Sequence, residues 1–173
     1  MVILGIDPGF ATVGVGVIEY SNPRFKYLTC GAILTPAGEP VERRITTVYD
    51  EINEIIKKYK PDAMAIEELF FNTNQKTIIN VSQARGVILL AARKNAVPIF
   101  EYTPLQVKQA VVGYGRATKN QVMEMTKVIM GLSSVPKPDD AADALAIAIC
   151  HAHSGGSKLG ELKKIGIAKR TGG

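Results

Sequence analysis

Residues that often build covalent or nucleophilic chemistry are scarce in this sequence, which has two cysteines and two histidines among 173 residues. Cys30 and Cys150 lie far apart without the spacing of a metal-binding pair, so we predict two inert, buried thiols. His151 and His153 project from opposite sides of a predicted helix and have no third partner at a suitable spacing. Catalysis by a serine, histidine or cysteine nucleophile is therefore not expected.

Long apolar runs are also missing. No stretch approaches the ~20 apolar residues that cross a bilayer, and no basic N-terminal segment leads into an apolar run. We therefore expect a cytoplasmic protein with no membrane partner. The chain is 46% hydrophobic and shows no internal repeat, so we predict one domain with a proper core.

Positive charge is in excess, with a net charge of +5 and a pI near 9.2, which favours an anionic partner. The excess lies in the last twenty residues, where only Glu161 opposes a set of basic residues: Lys158, Lys163, Lys164, Lys169 and Arg170. That segment is rich in glycine and lacks a sustained apolar period. We predict a folded domain over residues 1–153 and a flexible basic tail over 154–173, which either contacts DNA or only aids solubility.

Apolar periodicity in the first two thirds of the chain predicts an α/β fold. The runs at 2–6, 13–20 and 25–34 are typical of an antiparallel meander. Helical spacing over 40–59 and 74–94 separates two further strand-like runs at 63–67 and 97–101. We expect a five-stranded mixed sheet, an antiparallel meander plus two parallel strands, with helices on both faces.

Local signals place the remaining helices. Thr103 with Gln106, and Thr118 with Gln121, form two capping boxes, which predict helix starts near residues 104 and 119. Gly131 is expected to end the second of these helices. A last helix is predicted to open at Pro138-Asp139 and to run to about His153.

Acidic residues stand at three places where they can converge. Asp7 and Glu67 each end a predicted strand, and adjacent parallel strands would bring both carboxylates to one end of the sheet. Asp140 and Asp143 share a face of the last helix, amid alanine and aliphatic neighbours. Asp139 also pairs with Asp143, at a spacing of four, and the local sequence does not decide between them.

Clustered carboxylates repel one another, and hard divalent cations remove that repulsion. The predicted cofactor is Mg²⁺, with Mn²⁺ as a substitute, and two ions could support phosphodiester hydrolysis. Each acid also has a structural interpretation taken singly. Asp7 could open a turn, Glu67 could belong to an exposed pair with Glu68, and Asp139 or Asp140 could cap a helix.

Five stretches in order make a resemblance specific. They are GIDPGFATVG at 5–14, AIEELFF at 65–71, SQARGV at 82–87, VKQAVVGYGRATKNQV at 107–122 and DDAADALAIAICHAH at 139–153. Together they resemble the RuvC Holliday-junction resolvases over about residues 2–153. The resemblance implies a ribonuclease H-like fold and a homodimer that resolves Holliday junctions by paired nicks during DNA recombination and repair.

By the same resemblance, the four catalytic and metal-binding acids are Asp7, Glu67, Asp140 and Asp143. Asp139 then becomes the helix N-cap. The family's basic residues near the scissile phosphate match Lys108 and Lys119, whose charge suits an anionic transition state. Without the resemblance, both would pass for exposed lysines of helix starts and faces.

The resemblance also suggests how DNA is held. Phe70 is predicted to stack on a base at the junction with Phe71 as its helper, although a core role for one of them is an alternative. Arg116, with Lys108 and Lys119, is expected to contact DNA. The apolar excess of the helix over 74–94 suits a two-fold dimer interface or burial within one chain. RuvA and RuvB are partners implied by resemblance only.

Three other functions fit parts of the pattern. A nucleotide-binding protein of the actin and sugar-kinase type also begins with a strand and a Gly-Ile-Asp-x-Gly turn, but it needs two such lobes. A related nuclease acting on structured RNA remains open because fold alone does not set function. A non-catalytic junction-binding module is the third, and the complete set of four acids argues against it.

Overall fold

A five-stranded mixed sheet forms the centre of the computed structural model, which describes the backbone of residues 1–69 and 75–168 and the side chains of residues 1–69 and 78–154. In chain order the strands are β1 (Val2–Asp7), β2 (Thr12–Ser21), β3 (Arg24–Leu34), β4 (Ala63–Glu67) and β5 (Ile99–Tyr102). Their spatial order is β3-β2-β1-β4-β5. The first three strands pair antiparallel, and β4 pairs parallel with both β1 and β5. The predicted meander and parallel pair are confirmed.

Five helices cover the sheet: α1 (Val41–Tyr59), α2 (Gln75–Lys94), α3 (Pro104–Val112), α4 (Lys119–Met130) and α5 (Asp139–Ala168). Both predicted capping boxes are present, with Thr103 accepting from the Gln106 N–H and Thr118 from the Gln121 N–H. Gly131 ends α4 at a φ of 63°, in the left-handed region that suits glycine. The helix starts are therefore set by local sequence.

Two predicted boundaries were wrong. Strand β5 begins at Ile99 rather than residue 97, because the Val97 N–H bonds to the Ala92 carbonyl at the end of α2 and Pro98 has no N–H to donate. Helix α5 continues to Ala168, beyond the predicted end near His153. Lysine, leucine and glutamate recur after residue 157 and favour helix despite the glycines. The division into a folded domain and a flexible tail at residue 153 stays a prediction.

The two faces of the sheet have different cores. Helices α1 and α2 pack on one face, where large aliphatic side chains such as Leu4, Ile6, Val17 and Ile66 meet Val48, Ile52 and Ile88. Helices α3, α4 and α5 cover the other face, where α5 lies across β1 and β2. The second face carries many small residues, which allow the helix to approach the strands closely.

Helix α2 only partly hides its apolar residues. Ile88 and Ala91, two of the residues in the predicted apolar excess, are fully buried within the chain. Ile79 and Leu90 are 61% and 49% exposed. One side of α2 therefore belongs to the core, and another side presents aliphatic groups to the outside of the chain.

Candidate active site at the carboxyl ends of the parallel strands

Asp7 and Glu67 lie at the same end of the sheet. In the parallel ladder Ile6 is opposite Ile66, and each of these residues is followed directly by an acid. Alternation along the strands places both carboxylates on the face that α5 covers. The two carboxyl groups share a hydrogen bond, so the predicted convergence of the strand-end acids is present.

Glycines in the sheet bring α5 close to these strand ends. Gly14 is opposite Asp7 in the antiparallel ladder, and the carbonyl of Asp140 occupies the space where a Gly14 side chain would stand. Gly5 and Gly16 make the same kind of room for the α5 backbone at Ala144 and Leu145. The start of α5 thus rests on backbone rather than on side chains, and its acids reach the ends of β1 and β4.

The acids influence one another electrostatically. Burial, followed by the charges of Glu67, Asp143 and Asp140, raises the pKa of Asp7 to about 8. Burial also raises the pKa of Glu67 and of Asp143, and in both cases a neighbouring carboxylate adds to the effect. The four acids that the sequence singled out therefore form one group in which full ionisation is unfavourable.

Lys108 and Lys119 face the same group. A cavity of about 190 Å³ is lined by Glu67, Asp143 and both lysines, together with apolar residues of α3, α4 and α5. Lys119, the first residue of α4, places Nζ 3.0 Å from Asp143 Oδ2. This contact raises the pKa of Lys119, chiefly through its hydrogen bond to Asp143. Two cations thus border the acids at one edge.

The expectation that Asp139 caps α5 was wrong. Asp139 is itself the first residue of the helix, and its Oδ1 accepts a hydrogen bond from Lys137 Nζ at 2.8 Å. Its Oδ2 lies 3.9 Å from Lys119 Nζ. In the part of the chain that the structure describes, no backbone N–H donates to this carboxylate, because two nearby ammonium groups attract it instead.

Comparison with known proteins supplies the family. A sequence model described as crossover junction endodeoxyribonuclease RuvC matches residues 3–151. A protein of that name from Alkaliphilus oremlandii is 59% identical over 155 residues, which cover 90% of this chain and 94% of the relative. The protein of that name from Clostridioides difficile is 58% identical over 167 residues, covering 96% and 98%.

The chain belongs to the RuvC family. It is accordingly an endodeoxyribonuclease, a hydrolase of phosphodiester bonds. Among solved structures, Thermus thermophilus RuvC in complex with a Holliday junction substrate is 37% identical, with a TM-score of 0.86 and coverage of 90% of this chain and 94% of the other. The yeast mitochondrial Holliday junction resolvase Ydc2, at 15% identity and a TM-score of 0.63, shares the fold. The ribonuclease H-like fold predicted from the sequence is confirmed.

The RuvC family consists of metal-dependent nucleases, and the acids described above supply the oxygen ligands that hard cations prefer. In the described residues, however, no three histidine, cysteine, aspartate or glutamate side chains are grouped closely enough to hold a metal ion as they stand. The Asp7–Glu67 hydrogen bond and the Lys119–Asp143 ion pair occupy carboxylate oxygens of this group. These two contacts would have to open before the carboxylates could hold a cation.

Other residues of interest lie farther from the acids or outside the described part. Arg116 is exposed in the connection between α3 and α4. Phe70, Phe71 and the basic residues after residue 157 lie outside the residues whose side chains the structure describes. No helix among the described residues is long and apolar enough to cross a membrane.

The histidines and cysteines have structural surroundings. His151 is buried, and its Nδ1 is 2.7 Å from the Tyr102 hydroxyl. His153 Nδ1 lies 3.0 Å from the Ala110 carbonyl. Cys150 is buried as predicted, whereas Cys30 is only half-buried and accepts a hydrogen bond from the Tyr27 hydroxyl. None of the four lines the cavity beside the acids.

Proposed function

We propose that this chain resolves Holliday junctions by paired, metal-dependent hydrolysis of phosphodiester bonds in DNA recombination and repair. The observation that carries the proposal is the convergence of four acids and two lysines at one end of the sheet, where the charges of Glu67, Asp143 and Asp140 all raise the pKa of Asp7. The relatives reported above carry the name crossover junction endodeoxyribonuclease, and one solved neighbour was captured with a Holliday junction. A junction with two equivalent strands is therefore the substrate this site fits best.

Asp7, Glu67, Asp140 and Asp143 are the proposed catalytic acids and metal ligands. Mg²⁺ is the proposed cofactor, with Mn²⁺ as a substitute and two ions at each site. Bound there, such ions lower the pKa of a water nucleophile and stabilise the leaving oxygen. The protein's own contribution is to hold four carboxylates together. Burial and the charges of the neighbouring acids raise the pKa of Asp7 to about 8, so that without metal a proton on Asp7 relieves the repulsion.

Lys108 and Lys119 are proposed to stabilise negative charge on the scissile phosphate. Both border the cavity beside Glu67 and Asp143, and positive groups aimed at developing charge are among the strongest catalytic devices. Arg116 is proposed to hold the DNA backbone from the exposed connection before α4. Phe70, helped by Phe71, is proposed to stack on an unpaired base at the junction centre, as aromatic side chains do with single strands.

A homodimer is the proposed assembly, since a two-fold substrate suits a two-fold enzyme. The exposed aliphatic residues of α2, Ile79 and Leu90, support α2 as part of the interface. RuvA and RuvB are proposed partners, and a cytoplasmic location is proposed for an enzyme acting on DNA.

Cleavage of defined substrates tests the proposal. The protein is incubated with a four-way DNA junction, a linear duplex of the same sequence and a structured RNA, each with Mg²⁺, Mn²⁺, Ca²⁺ or EDTA. Paired nicks confined to the junction, in Mg²⁺ or Mn²⁺, are the expected result. Preferred cutting of RNA would support the rival ribonuclease, and binding to the junction without cleavage in any metal would support a non-catalytic module.

A further inference from the structure

The turn that follows Asp7 is held by a cluster of three residues from separate parts of the fold. Residues 8–11 connect β1 to β2, and this cluster, the turn anchor, consists of Phe10, Thr35 and Arg44. Thr35 follows the end of β3, and Arg44 lies in the first turns of α1. The turn anchor thus joins three elements at the end of the sheet that carries the acids.

Thr35 is the centre of the turn anchor and is only 4% exposed. Its hydroxyl donates to the Phe10 carbonyl at 2.6 Å, and its backbone N–H donates to the Ala11 carbonyl at 3.0 Å. Both acceptors belong to the turn after Asp7. One residue therefore satisfies two consecutive carbonyls just beyond the paired residues of β2 and β3, and it fixes the turn backbone at two points.

Arg44 holds Thr35 from the other side. Its Nε donates to Thr35 Oγ1 at 3.0 Å and its Nη2 donates to the Thr35 carbonyl at 3.1 Å. The guanidinium carbon also stands 3.9 Å from the centre of the Phe10 ring. A planar guanidinium can make a forked pair of bonds and a ring contact together, whereas a lysine ammonium cannot.

The charge of Arg44 is directed at neutral groups. Its two acceptors are the hydroxyl and the carbonyl oxygen of Thr35. In the part of the chain that the structure describes, no carboxylate lies within ion-pair distance of Arg44. Hydrogen bonds with a charged donor are about twice as strong as neutral ones. This half-buried arrangement is therefore a stronger restraint on the turn than an exposed salt bridge would be.

Asp7 is the last residue of β1 and directly precedes the anchored turn. On the other side of the turn, Gly14 pairs with Asp7 and supports the start of α5. A shift of the turn backbone would therefore move the Asp7 carboxylate relative to Asp140. Misplacement of a catalytic group by about 1 Å can slow a reaction about 100-fold.

From this geometry we infer that Thr35 and Arg44 are positioning residues, which act through the 8–11 turn to fix Asp7 for catalysis. The inference rests on the proposed metal-dependent junction cleavage. It assigns no contact with DNA to either residue. It adds two residues, from outside the acidic group, on which the rate of the chemical step depends.

Thr35→Val and Thr35→Ser test the inference as a pair. Valine has a similar shape but removes the hydroxyl that bonds Phe10 and Arg44, and serine restores it. We expect Thr35→Val to lower the single-turnover cleavage rate in saturating protein about 10- to 100-fold, with junction affinity in Ca²⁺ unchanged. Thr35→Ser should return the rate to within about threefold of the wild type, because the hydroxyl bonds are restored.

Arg44→Lys and Arg44→Gln extend the test to the other partner. Lysine keeps the charge and loses the fork, so a positioning role predicts slow cleavage in both variants. A role for Arg44 as a simple charge near DNA predicts recovery in Arg44→Lys and a loss of affinity in Arg44→Gln. Arg43→Gln, at the exposed neighbouring arginine, and Thr46→Val, at an exposed threonine that bonds the Glu42 carbonyl, are the matched controls.

Unchanged cleavage rates at 25 °C in Thr35→Val, together with a lowered melting temperature, would overturn the inference and leave a purely structural cluster. Should Thr35→Val fail to fold, the comparison of Arg44→Lys with the wild type decides, and an unchanged rate in that variant also overturns the inference. Failure of the wild-type protein to cleave the junction would instead contradict the proposed function. The two failures are therefore distinguishable.

Discussion

The two faces of the sheet pack against their helices in different ways. On the α1 and α2 face, valine, isoleucine and leucine side chains separate helix from strand and fill the core. On the α5 face, Gly5, Gly14 and Gly16 let helix backbone rest almost directly on strand backbone. Side chains packed between helix and strand stabilise the aliphatic face. On the glycine face, the close approach of α5 instead holds two helical acids against two strand-end acids.

This difference predicts that substitutions on the site face change catalysis more than stability, and that substitutions on the aliphatic face do the reverse. The largest effect is expected for Asp7→Asn, which removes one proposed ligand and one negative charge. Cleavage should fall by more than the roughly 10²–10³-fold typical of losing one group that stabilises developing charge. Junction affinity, measured in Ca²⁺, should stay the same or rise because repulsion of phosphate decreases. Cleavage in Mg²⁺ near the wild-type rate would refute the ligand assignment.

Lys119→Met should have the next largest effect. Removing one positive group that stabilises developing charge lowers rates by about 10²–10³-fold. Lys119 Nζ also forms an ion pair with Asp143 Oδ2 at 3.0 Å. Loss of the lysine frees this carboxylate and removes a nearby positive charge, so Mn²⁺ should bind the DNA-free protein more tightly. Calorimetry with Mn²⁺ measures this, and Lys137→Met, at a more exposed lysine that contacts Asp139 and not Asp143, is the control. Weaker Mn²⁺ binding in Lys119→Met would show that the lysine does not compete with the metal.

A direct comparison of the faces uses Gly14→Ala and Ile52→Val. The alanine methyl group would collide with the Asp140 carbonyl and displace the start of α5, so the cleavage rate should fall about 100-fold. Ile52 lies on α1 and is fully buried, and its shortening should reduce the free energy of unfolding by about 0.5–1.5 kcal/mol with the rate kept. Chemical denaturation and single-turnover cleavage measure both quantities. Equal rates in the two variants would contradict the division between the faces.

Much of this arrangement can be predicted from the sequence because its signals are local. Asp7 and Glu67 directly follow apolar runs, and parallel strands then bring them to one end of the sheet. The capping boxes at Thr103 and Thr118 determine helix starts by the spacing of two residues. The resemblance added Lys108 and Lys119, which no spacing rule would have selected.

The remaining features depend on contacts between distant segments. Arg44 and Thr35 meet the turn at Phe10 through bonds between three elements, and no periodicity marks them. Spacing left Asp139 and Asp140 equivalent, whereas the charges around them differ because Lys137 and Lys119 attract Asp139. The position of α5 on Gly14 is likewise a tertiary contact. Such features become visible only when the packed chain is known.

The acidic group also predicts how stability depends on pH without metal. Burial and neighbouring acids raise the pKa of Asp7 from 3.8 to about 8, so the folded state binds a proton more tightly than the unfolded chain. This contribution to stability is complete below pH 3.8 and is lost as pH rises through about 8. The metal-free protein should therefore weaken between pH 5 and 8.

Asp7→Asn removes this dependence. In EDTA the variant should have a higher free energy of unfolding than the wild type, and this difference should grow as pH rises. It should reach a few kcal/mol at most, because one pKa unit equals about 1.4 kcal/mol. Denaturation at pH 5 and pH 8 measures the gap, and Mg²⁺ should narrow it at pH 8. A gap that shrinks with rising pH would contradict the shift assigned to Asp7. Ile52→Val, on the aliphatic face, should show no such widening.

The smallest effect is expected at Asp139, which stands beside the site but outside the proposed ligand set. Its carboxylate contacts Lys137 at 2.8 Å, which lowers the pKa of Asp139, and exposed ion pairs of this kind contribute little to stability. Asp139→Asn should therefore leave the melting temperature unchanged and alter cleavage by less than about tenfold, at the lower end of outer-shell effects. Asp140→Asn, one residue away, should lose cleavage while still folding. Because the two variants differ by a single position, the opposite pattern would reassign the ligand to Asp139 and would require α5 to rotate on Gly14 when metal binds.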